Sequence, residues 1–210
     1  MLYLGGLCFL TAGESTCGKT AEEQAGEALR AGIKWVQVRM KAAARRRVWE
    51  AATALRGPAL EAEALLFIND YPDIALAADA DGVHLGQEDF PLRPARVLLG
   101  GKSKKLIGVS THSLEEAKAA GDGGADYIGF GPVFETRTKD AGPAKGIGPL
   151  AEVCRAINIP VVAIGGITAE NIGMVIKAGA AAAAVSGAIA LGDIRDNVKR
   201  FLEALEAAGK

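Results

Sequence analysis

Short apolar segments alternate along the chain with longer segments whose apolar residues recur at helical spacing. The apolar segments are rich in Val, Ile, Leu and Phe, which is typical of strands buried on both faces of a parallel sheet. The pattern predicts strands at 7–11, 34–39, 65–69, 82–86, 106–110, 127–131, 161–165 and 183–187. It predicts helices near 20–31, 44–56, 72–78, 91–98, 113–121, 148–156, 168–178 and 193–207.

A weak internal repeat supports this alternation. The strings RAGIKWVQV, ADADGVHLG, DGGADYIGF and KAGAAAAAVSG each place Gly or Ala-Asp just before a predicted strand. Such a pattern indicates a helix that ends at a glycine and turns directly into the next strand. Eight strand–helix pairs without a low-complexity linker predict an α/β fold, a (β/α)8 TIM barrel, as one domain over 1–210. A doubly wound open sheet is the alternative.

The charge balance and the low aromatic content argue against nucleic acid as a binding partner. Lys plus Arg is 24 against 25 for Asp plus Glu, and aromatic residues make up only 5%, so neither a basic face nor a base-stacking surface for nucleic acid is expected. The three cysteines form no C-x-x-C pair, which suits a reducing compartment. The apolar N-terminal stretch lacks a basic region and is too short to cross a bilayer. We expect a cytoplasmic protein without membrane contact, and the sequence leaves open whether it forms a homo-oligomer.

Polar residues follow the predicted strands, where a barrel places its active site. After the second strand, the segment QVRMK carries Gln37, Arg39 and Lys41 at alternating positions, so the three side chains should share one face. They could bind an anion, or they could be no more than a solvated strand end.

Carboxylates follow the third and fourth strands. Asn69 and Asp70 end one strand, and Asp89 follows the next, so a barrel would bring the two aspartates together. Mg²⁺ prefers oxygen ligands and would relieve the repulsion between two carboxylates. Each aspartate could instead cap the helix that follows it.

The fifth strand ends in Ser110, Thr111 and His112. A hydroxyl at this position could donate a hydrogen bond to a phosphate, or it could cap the following helix. His112 is interpreted as a surface or capping residue rather than a general base, and His84 as a core histidine with satisfied hydrogen bonds.

The end of the chain carries a phosphate-site pattern. The long segment 131–148 holds hydroxyl and cationic residues at 136–139 and has the length of a functional lid. The seventh strand ends in Gly165-Gly166-Ile167, before Thr168 as a predicted helix N-cap, and the eighth ends in Val185-Ser186-Gly187. Such loops form the phosphate site of many barrels, although the glycines could serve only for tight turns.

Together these groups predict a monophosphate pocket on one side of the mouth and a Mg²⁺-bound diphosphate on the other. This arrangement suits two substrates that join with loss of diphosphate. No residue has the setting of an activated nucleophile, since Cys8, Cys17 and Cys154 lie outside the predicted strand ends. Charge stabilisation and positioning would then supply the catalysis.

The ordered motifs QVRMK, ND, GQED, GVS, TRTK, IGGI and VSG, between residues 37 and 187, resemble the thiamine phosphate synthase family, and ADGVHLGQEDFPLRPAR is especially specific. The resemblance implies a transferase of thiamine biosynthesis that joins 4-amino-5-hydroxymethyl-2-methylpyrimidine diphosphate to 4-methyl-5-(2-phosphoethyl)thiazole or its carboxylate. It implies Mg²⁺ on Asp70 and Asp89, and catalytic roles for Arg39, Lys41, Ser110 and Lys139. It further implies substrate contacts by Gln37, Val38, Arg39, Met40, Lys41, Asn69, Ser110, Thr136, Arg137, Thr138, Lys139, Gly166, Val185 and Ser186.

The chain departs from this family pattern in two places. The first strand ends in Thr11-Ala12-Gly13 instead of Thr-Asp-Arg, and the stretch after Lys41 reads AAARRRVW, where an acidic residue often follows the lysine, so the strand 1 contacts and the 41–48 loop depart from the pattern. Two rival functions remain open. A thiazole tautomerase of the same fold would use a histidine and has no need of the two aspartates, and a non-catalytic sensor would keep only the phosphate pocket.

Overall fold

The chain is described by a computed structural model over residues 4–100, 105–136 and 142–209. Eight parallel strands, each paired with the next and the last paired with the first, form a closed barrel. The strands are β1 (Gly6–Leu10), β2 (Trp35–Val38), β3 (Leu65–Asn69), β4 (Gly82–Leu85), β5 (Leu106–Thr111), β6 (Tyr127–Phe130), β7 (Val161–Ile164) and β8 (Ala182–Val185). The predicted barrel is therefore confirmed, and the open sheet is excluded.

Helices surround the barrel and connect successive strands. They are α1 (Glu14–Cys17), α2 (Ala21–Arg30), α3 (Arg45–Glu61), α4 (Pro72–Ala77), α5 (Leu92–Leu98), α6 (Leu114–Asp122), α7 (Ile147–Ala156), α8 (Ile172–Lys177), α9 (Gly187–Ala190) and α10 (Ile194–Ala207). No helix in the described ranges is long and apolar enough to cross a membrane.

Two helix boundaries differ from the prediction. Helix α3 continues past Pro58 to Glu61, because Ala59 in its last turn is fully buried and holds that turn against the core. Helix α8 begins at Ile172, so Thr168 does not cap it. Thr168 instead begins a turn in which its main-chain N–H donates to Asn171 Oδ1 at 2.9 Å.

Strand residues alternate between two apolar layers. Val36, Val38, Ile68 and Val83 pack outward against the helices, in the larger core. Residues of opposite parity fill the barrel interior, where the rings of Trp35, Phe67 and Tyr127 contact one another at centroid distances of 5.1–5.8 Å. This alternation decides which residues at the strand ends can face the barrel mouth.

The basic run after β2 is used in ion pairs on the outside of the barrel. Arg47 bonds both carboxylate oxygens of Glu22 on α2, at 2.6 and 2.7 Å. Arg45 pairs with Asp73 on α4 and stacks over the ring of Tyr71. These contacts dock α3 onto its neighbours, so the arginines of the departing 41–48 loop lie outside the cavity.

The face of the barrel at the strand N-termini carries a repeated carboxylate bridge. Asp81, just before β4, accepts hydrogen bonds from the main-chain N–H of Leu66 at 2.8 Å and from Arg56 at 2.9 Å. Asp126, two strands later, accepts from the N–H of Ile107 at 2.7 Å and from Arg96. The two Ala-Asp elements of the internal repeat thus join β4 and β6 each to the preceding strand and to the helix that leads into that preceding strand.

Candidate active site

A cavity of about 250 Å³ opens at the carboxyl ends of the strands. Its inner end is lined by apolar and aromatic residues of the barrel interior, among them Cys8, Trp35, Tyr127 and Val162. Its outer lining is charged on one side. Most of the polar residues predicted from the strand ends line this cavity: Gln37, Arg39, Lys41, Asn69, Asp70, Asp89, Ser110 and Thr136.

The QVRMK segment behaves as its alternation predicts. Gln37, Arg39 and Lys41 line the cavity, whereas Val38 is buried in the outer core and Met40 packs against it. Any contact of Val38 or Met40 with a ligand in the cavity would therefore use the main chain. In the part of the chain that the structure describes, neither Arg39 nor Lys41 forms an ion pair, so both cations can meet an anionic ligand.

The end of β1 supports Arg39 although it lacks the acidic residue of the family pattern. The hydroxyl of Thr11 accepts a hydrogen bond from the Arg39 main-chain N–H at 2.8 Å and donates to the Arg39 carbonyl at 3.2 Å. The buried side chain of Gln24 bonds both main-chain groups of Ala12, at 2.7 and 3.0 Å. Neither Thr11 nor Gln24 was singled out from the sequence, because a lone buried Thr or Gln carries no spacing signal.

A chain of amide hydrogen bonds connects β2 to β3. Gln37 donates from Nε2 to Asn69 Oδ1 at 2.7 Å, and Asn69 donates from Nδ2 to Asp70 Oδ1. Asn69 is thus held with its donor toward the carboxylate. Because the Nε2 group of Gln37 points to Asn69, its carbonyl oxygen is left as a hydrogen-bond acceptor for a ligand in the cavity.

Asp70 and Asp89 form a carboxylate pair. Burial and the adjacent Asp89 carboxyl raise the pKa of Asp70 to about 6, while the nearby Lys41 opposes the shift. Asp70 has a left-handed backbone with φ 68°, and its main-chain N–H donates to the His84 carbonyl at 2.9 Å. This unusual conformation turns Asp70 toward the cavity.

The capping alternative for both aspartates is excluded. Helix α4 begins after Tyr71 and helix α5 after Pro91, and neither has a side-chain cap. Asp89 Oδ2 instead accepts from the main-chain N–H of Gly86 at 2.6 Å. No cluster of three or more His, Cys, Asp or Glu able to hold a metal occurs in the described ranges. The pair nevertheless fits Mg²⁺, which proteins commonly hold by one or two carboxylates together with substrate phosphate oxygens.

Ser110 is free of a capping role, because Ser113 caps α6 by accepting from the N–H of Glu116 at 3.2 Å. The hydroxyl of Ser110 lies 2.9 Å from His84 Nε2. Thr111 is buried and donates to the Gly129 carbonyl at 3.0 Å. His112 lies at the rim of the cavity and bonds Glu116 through Nδ1 at 3.2 Å.

His84 and Tyr127 belong to the site in a way that the sequence interpretation missed. His84 has both ring nitrogens bonded, as expected of a core histidine, but it lines the cavity, and its Nδ1 lies 2.9 Å from Tyr127 Oη. Burial lowers the pKa of His84 to about 4, so the imidazole is neutral at pH 7. The parity of β4 contains the signal, since Val83 and Leu85 face the helices and His84 between them must face inward.

The opposite side of the mouth is made of main chain and small residues. Gly165 and Gly166 have positive φ, 96° and 64°, and pack against the start of the segment that follows β6. A Cβ on Gly166 would lie 2.3 Å from the Glu135 carbonyl oxygen, and a Cβ on Gly165 would lie 2.5 Å from Pro132 Cβ. These glycines are therefore required by close main-chain approach as well as by turn geometry.

Of the remaining residues predicted to bind phosphate, some lie beside the cavity and others lie outside the described residues. Gly166, Val185 and Ser186 lie beside the cavity and do not line it, and the Val185 side chain is buried in the outer core. Ser186 precedes the short helix α9, and its carbonyl accepts from the N–H groups of Ile189 and Ala190. Arg137, Thr138 and Lys139 lie outside the described residues, and so does the centre of the predicted lid.

The cysteines stay outside the chemistry. Cys8 does line the inner end of the cavity, which the sequence interpretation missed, but burial raises the pKa of its thiol well above the usual value. Burial likewise raises the pKa of Cys154 to about 11. Both groups are neutral thiols at pH 7 and weak nucleophiles.

A closed (β/α)8 barrel whose mouth combines unpaired cations, a carboxylate pair and a glycine-rich loop pair is the architecture of an enzyme acting on phosphorylated substrates. Comparison with known proteins identifies it further. Residues 7–189 match the family model described as thiamine monophosphate synthase. The chain belongs to this family, which confirms the resemblance inferred from its motifs.

Individual relatives agree with this assignment. The thiamine-phosphate synthase of Archaeoglobus fulgidus is 45% identical over 190 residues, which cover 90% of this chain and 88% of that protein. That of Syntrophomonas wolfei is 44% identical over 191 residues, covering 90% of each chain. The solved structure of thiamine phosphate pyrophosphorylase from Pyrococcus furiosus superimposes with a TM-score of 0.88 at 37% identity, over 97% of this chain and 96% of that one.

Proposed function

We propose that the chain is a thiamine phosphate synthase that joins 4-amino-5-hydroxymethyl-2-methylpyrimidine diphosphate to 4-methyl-5-(2-phosphoethyl)thiazole or its carboxylate. The products are thiamine monophosphate and diphosphate, with CO₂ from the carboxylate. The observation that carries the proposal is the Asp70–Asp89 pair beside Arg39 and Lys41 in one cavity. A diphosphate with a divalent cation matches this combination of charges.

The pyrimidine is proposed to lie over the apolar inner end of the cavity, with its polar edge toward Gln37. The carbonyl oxygen of Gln37, whose orientation follows from the bond of its amide nitrogen to Asn69, suits the exocyclic amino group of the pyrimidine as a donor. The diphosphate then lies at the outer, charged side, near Arg39, Lys41 and Ser110. Lys139 is proposed to join them.

Asp70 and Asp89 would hold Mg²⁺, which when bound would offset the negative charge of the diphosphate. The raised pKa of Asp70 supports this, because two close carboxylates without a cation favour a shared proton. The proposed location of the enzyme is the cytoplasm, where both phosphorylated substrates would be retained.

The reaction breaks the bond between the pyrimidinylmethyl carbon and the diphosphate oxygen. The amino group of the pyrimidine donates electron density as that bond breaks, giving a pyrimidine cation, and diphosphate leaves with the bonding electron pair. The thiazole nitrogen then supplies its lone pair and forms the C–N bond. Arg39, Lys41 and Ser110 stabilise the leaving oxygens, which is the largest contribution expected of the chain.

The thiazole phosphate is proposed to bind at the other half of the mouth. Its phosphate would contact Thr136, Arg137 and Thr138, together with the main chain of Gly166, Val185 and Ser186. The main-chain N–H groups before α9 and the positive-φ glycines after β7 support this placement, since exposed N–H groups bind phosphate without a counter-charge.

Product formation from both substrates tests the proposal. We expect thiamine phosphate with Mg²⁺ and none with excess EDTA. Calorimetric titration adds a readout that does not depend on turnover, namely binding of inorganic diphosphate that requires Mg²⁺. A folded protein that isomerises or binds only the thiazole phosphate would refute the synthase and favour the tautomerase, for which the rim position of His112 would supply the histidine.

A further inference from the structure

A hydrogen-bonded row of side chains crosses the barrel interior from β6 to β4 to β5. Tyr127 Oη lies 2.9 Å from His84 Nδ1, and His84 Nε2 lies 2.9 Å from Ser110 Oγ. Tyr127 is fully buried, whereas His84 and Ser110 are both half-buried, and all three side chains line the cavity. The row therefore runs from the apolar inner end of the cavity to its charged mouth.

The barrel makes room for this row with two glycines. A Cβ on Gly108 would lie 2.0 Å from the Tyr127 ring, and a Cβ on Gly129 would lie 3.0 Å from the His84 ring. Gly108 lies on β5, next to the strand of Tyr127, and Gly129 lies on β6, two strands from His84, so both positions face the barrel interior. The interior is thus shaped around the two rings, which fixes their orientation.

The direction of the hydrogen bonds follows from counting donors. In the described part of the chain, the Tyr127 phenol has no hydrogen-bond partner besides His84 Nδ1. If Nδ1 carried the proton, the phenol would accept it and leave its own O–H buried without an acceptor, at considerable cost. The phenol therefore donates to Nδ1, and the neutral ring carries its proton on Nε2.

Ser110 is then fixed as a donor into the cavity. Its oxygen accepts the proton of His84 Nε2, so the serine hydrogen must point to another acceptor. Ser110 lines the same cavity as Arg39 and Lys41. An anionic oxygen there would receive a charge-assisted hydrogen bond, which is stronger than one between neutral groups.

We propose that Tyr127 and His84 are positioning residues that hold the Ser110 hydroxyl as a hydrogen-bond donor to the diphosphate of the substrate. The inference rests on the proposed function for the identity of that anion. Tyr127 and His84 would then affect diphosphate binding only by orienting the Ser110 hydroxyl. Tyr127 orients His84, and His84 orients Ser110.

A thermodynamic cycle on binding tests the row without requiring turnover. The probe is inorganic diphosphate with Mg²⁺, titrated calorimetrically into the parent, Ser110→Ala, Tyr127→Phe and the double variant. We expect Ser110→Ala to weaken binding by about tenfold or more and Tyr127→Phe to weaken it about threefold to tenfold. The double variant should match Ser110→Ala alone, because the phenol acts through the serine.

Substitutions at His84 give a second readout. His84→Gln keeps an amide N–H near the position of Nε2 and should retain most of the affinity, whereas His84→Leu should lose as much as Ser110→Ala. Tyr71→Phe removes the same oxygen from a ring outside the cavity, against Arg45, and should change nothing. Melting temperatures establish that each variant is folded.

Several outcomes would overturn the inference. Additive losses in the double variant would show that Tyr127 acts independently of Ser110. An unchanged affinity in Tyr127→Phe, or equal losses in His84→Gln and His84→Leu, would contradict the assigned direction. Failure of the parent to bind diphosphate would overturn it as well. Binding without product formation would refute the proposed function alone, since the cycle reports on the anion site itself.

Discussion

The two halves of the barrel mouth bind charge by different means. At β2–β5, charged and amide side chains face the cavity, and several are supported by a neighbour: Thr11 bonds the Arg39 main chain and Gln37 bonds the Asn69 side chain. At β6–β8, the wall consists of main chain and small residues, with Gly165 and Gly166 in left-handed conformations. A half built from side chains can take a group of high charge with a cation, and a half built from N–H groups suits a single phosphate.

The comparison assigns each proposed substrate to one half. Substitutions at β2–β5 should then affect the diphosphate and spare the thiazole phosphate, and substitutions at β6–β8 should do the reverse. A change that weakened both substrates equally would show that the halves do not act separately. The following three experiments address this separation, in order of decreasing expected effect.

Removal of a carboxylate from the charged half should have the largest effect. Asp70→Ala and Asp89→Ala should each lower kcat at saturating Mg²⁺ by at least about 100-fold, because the diphosphate loses the cation that offsets its charge. The Kd for thiazole phosphate should stay within about twofold of the parent. Asp73→Ala, at an exposed carboxylate on α4, is the matched control. Near-normal turnover in both variants would contradict the assignment of Asp70 and Asp89 as Mg²⁺ ligands.

A methyl group in the other half should have an intermediate effect. Gly166→Ala places Cβ against the Glu135 carbonyl and should raise the KM for thiazole phosphate by about tenfold or more, with little change for the diphosphate. Gly18→Ala is a matched control with nearly the same φ, 69° against 64°, and open space around Cβ. Gly18→Ala should lose about 1 kcal/mol of stability from the left-handed backbone, and Gly166→Ala should lose more, because its Cβ also clashes with the Glu135 carbonyl oxygen. Equal kinetics in the two variants would mean that the Gly166 turn does not shape the pocket.

When no cation is present, ionisation of Asp70 in the charged half should lower the free energy of unfolding by a small, pH-dependent amount. The pKa of Asp70 is about 6 in the folded chain, above the usual 3.8, so the folded state binds this proton more tightly than the unfolded state. Its contribution therefore disfavours folding increasingly as the pH rises from about 4 to about 6, and fully above that range.

Asp70→Asn should abolish this cost. In EDTA, its Tm should exceed that of the parent by about 2–5 °C at pH 8, and the difference should disappear toward pH 4. Asp73→Asn should show no such pH-dependent gain. A variant as stable as the parent at both pH values would indicate that the two carboxylates do not repel each other in the folded chain.

The contrast between the halves also explains what the sequence could predict. The eight strands, barrel closure and the cavity-facing positions of Gln37, Arg39 and Lys41 follow from local patterns of period two and from helix-ending glycines, and the structure shows all three, with strand ends within two residues of the prediction. The nearness of Asp70 and Asp89 follows from their places after neighbouring parallel strands. Such features depend on residue type and order alone.

Other features depend on contacts between distant segments. The row from Tyr127 to Ser110 joins three strands, so no spacing within one segment of the sequence predicts it. The alternation within β4 does predict that His84 faces the barrel interior. The start of α8 at Ile172 reflects a turn closed by Asn171 rather than a threonine cap. The outward side chain of Val185 limits that residue to main-chain contacts, which residue identity alone does not reveal.

The carboxylate bridges of Asp81 and Asp126 have a consequence for how this chain can tolerate change. They join strand to strand at the end of the barrel away from the cavity, and each connects a helix, the strand that follows that helix, and the next strand. The β3–β4 and β5–β6 pairs are therefore reinforced by two similar units whose bonds do not include any residue of the mouth. Loops at the mouth can vary, be grafted or be exchanged between relatives while these units keep the scaffold intact.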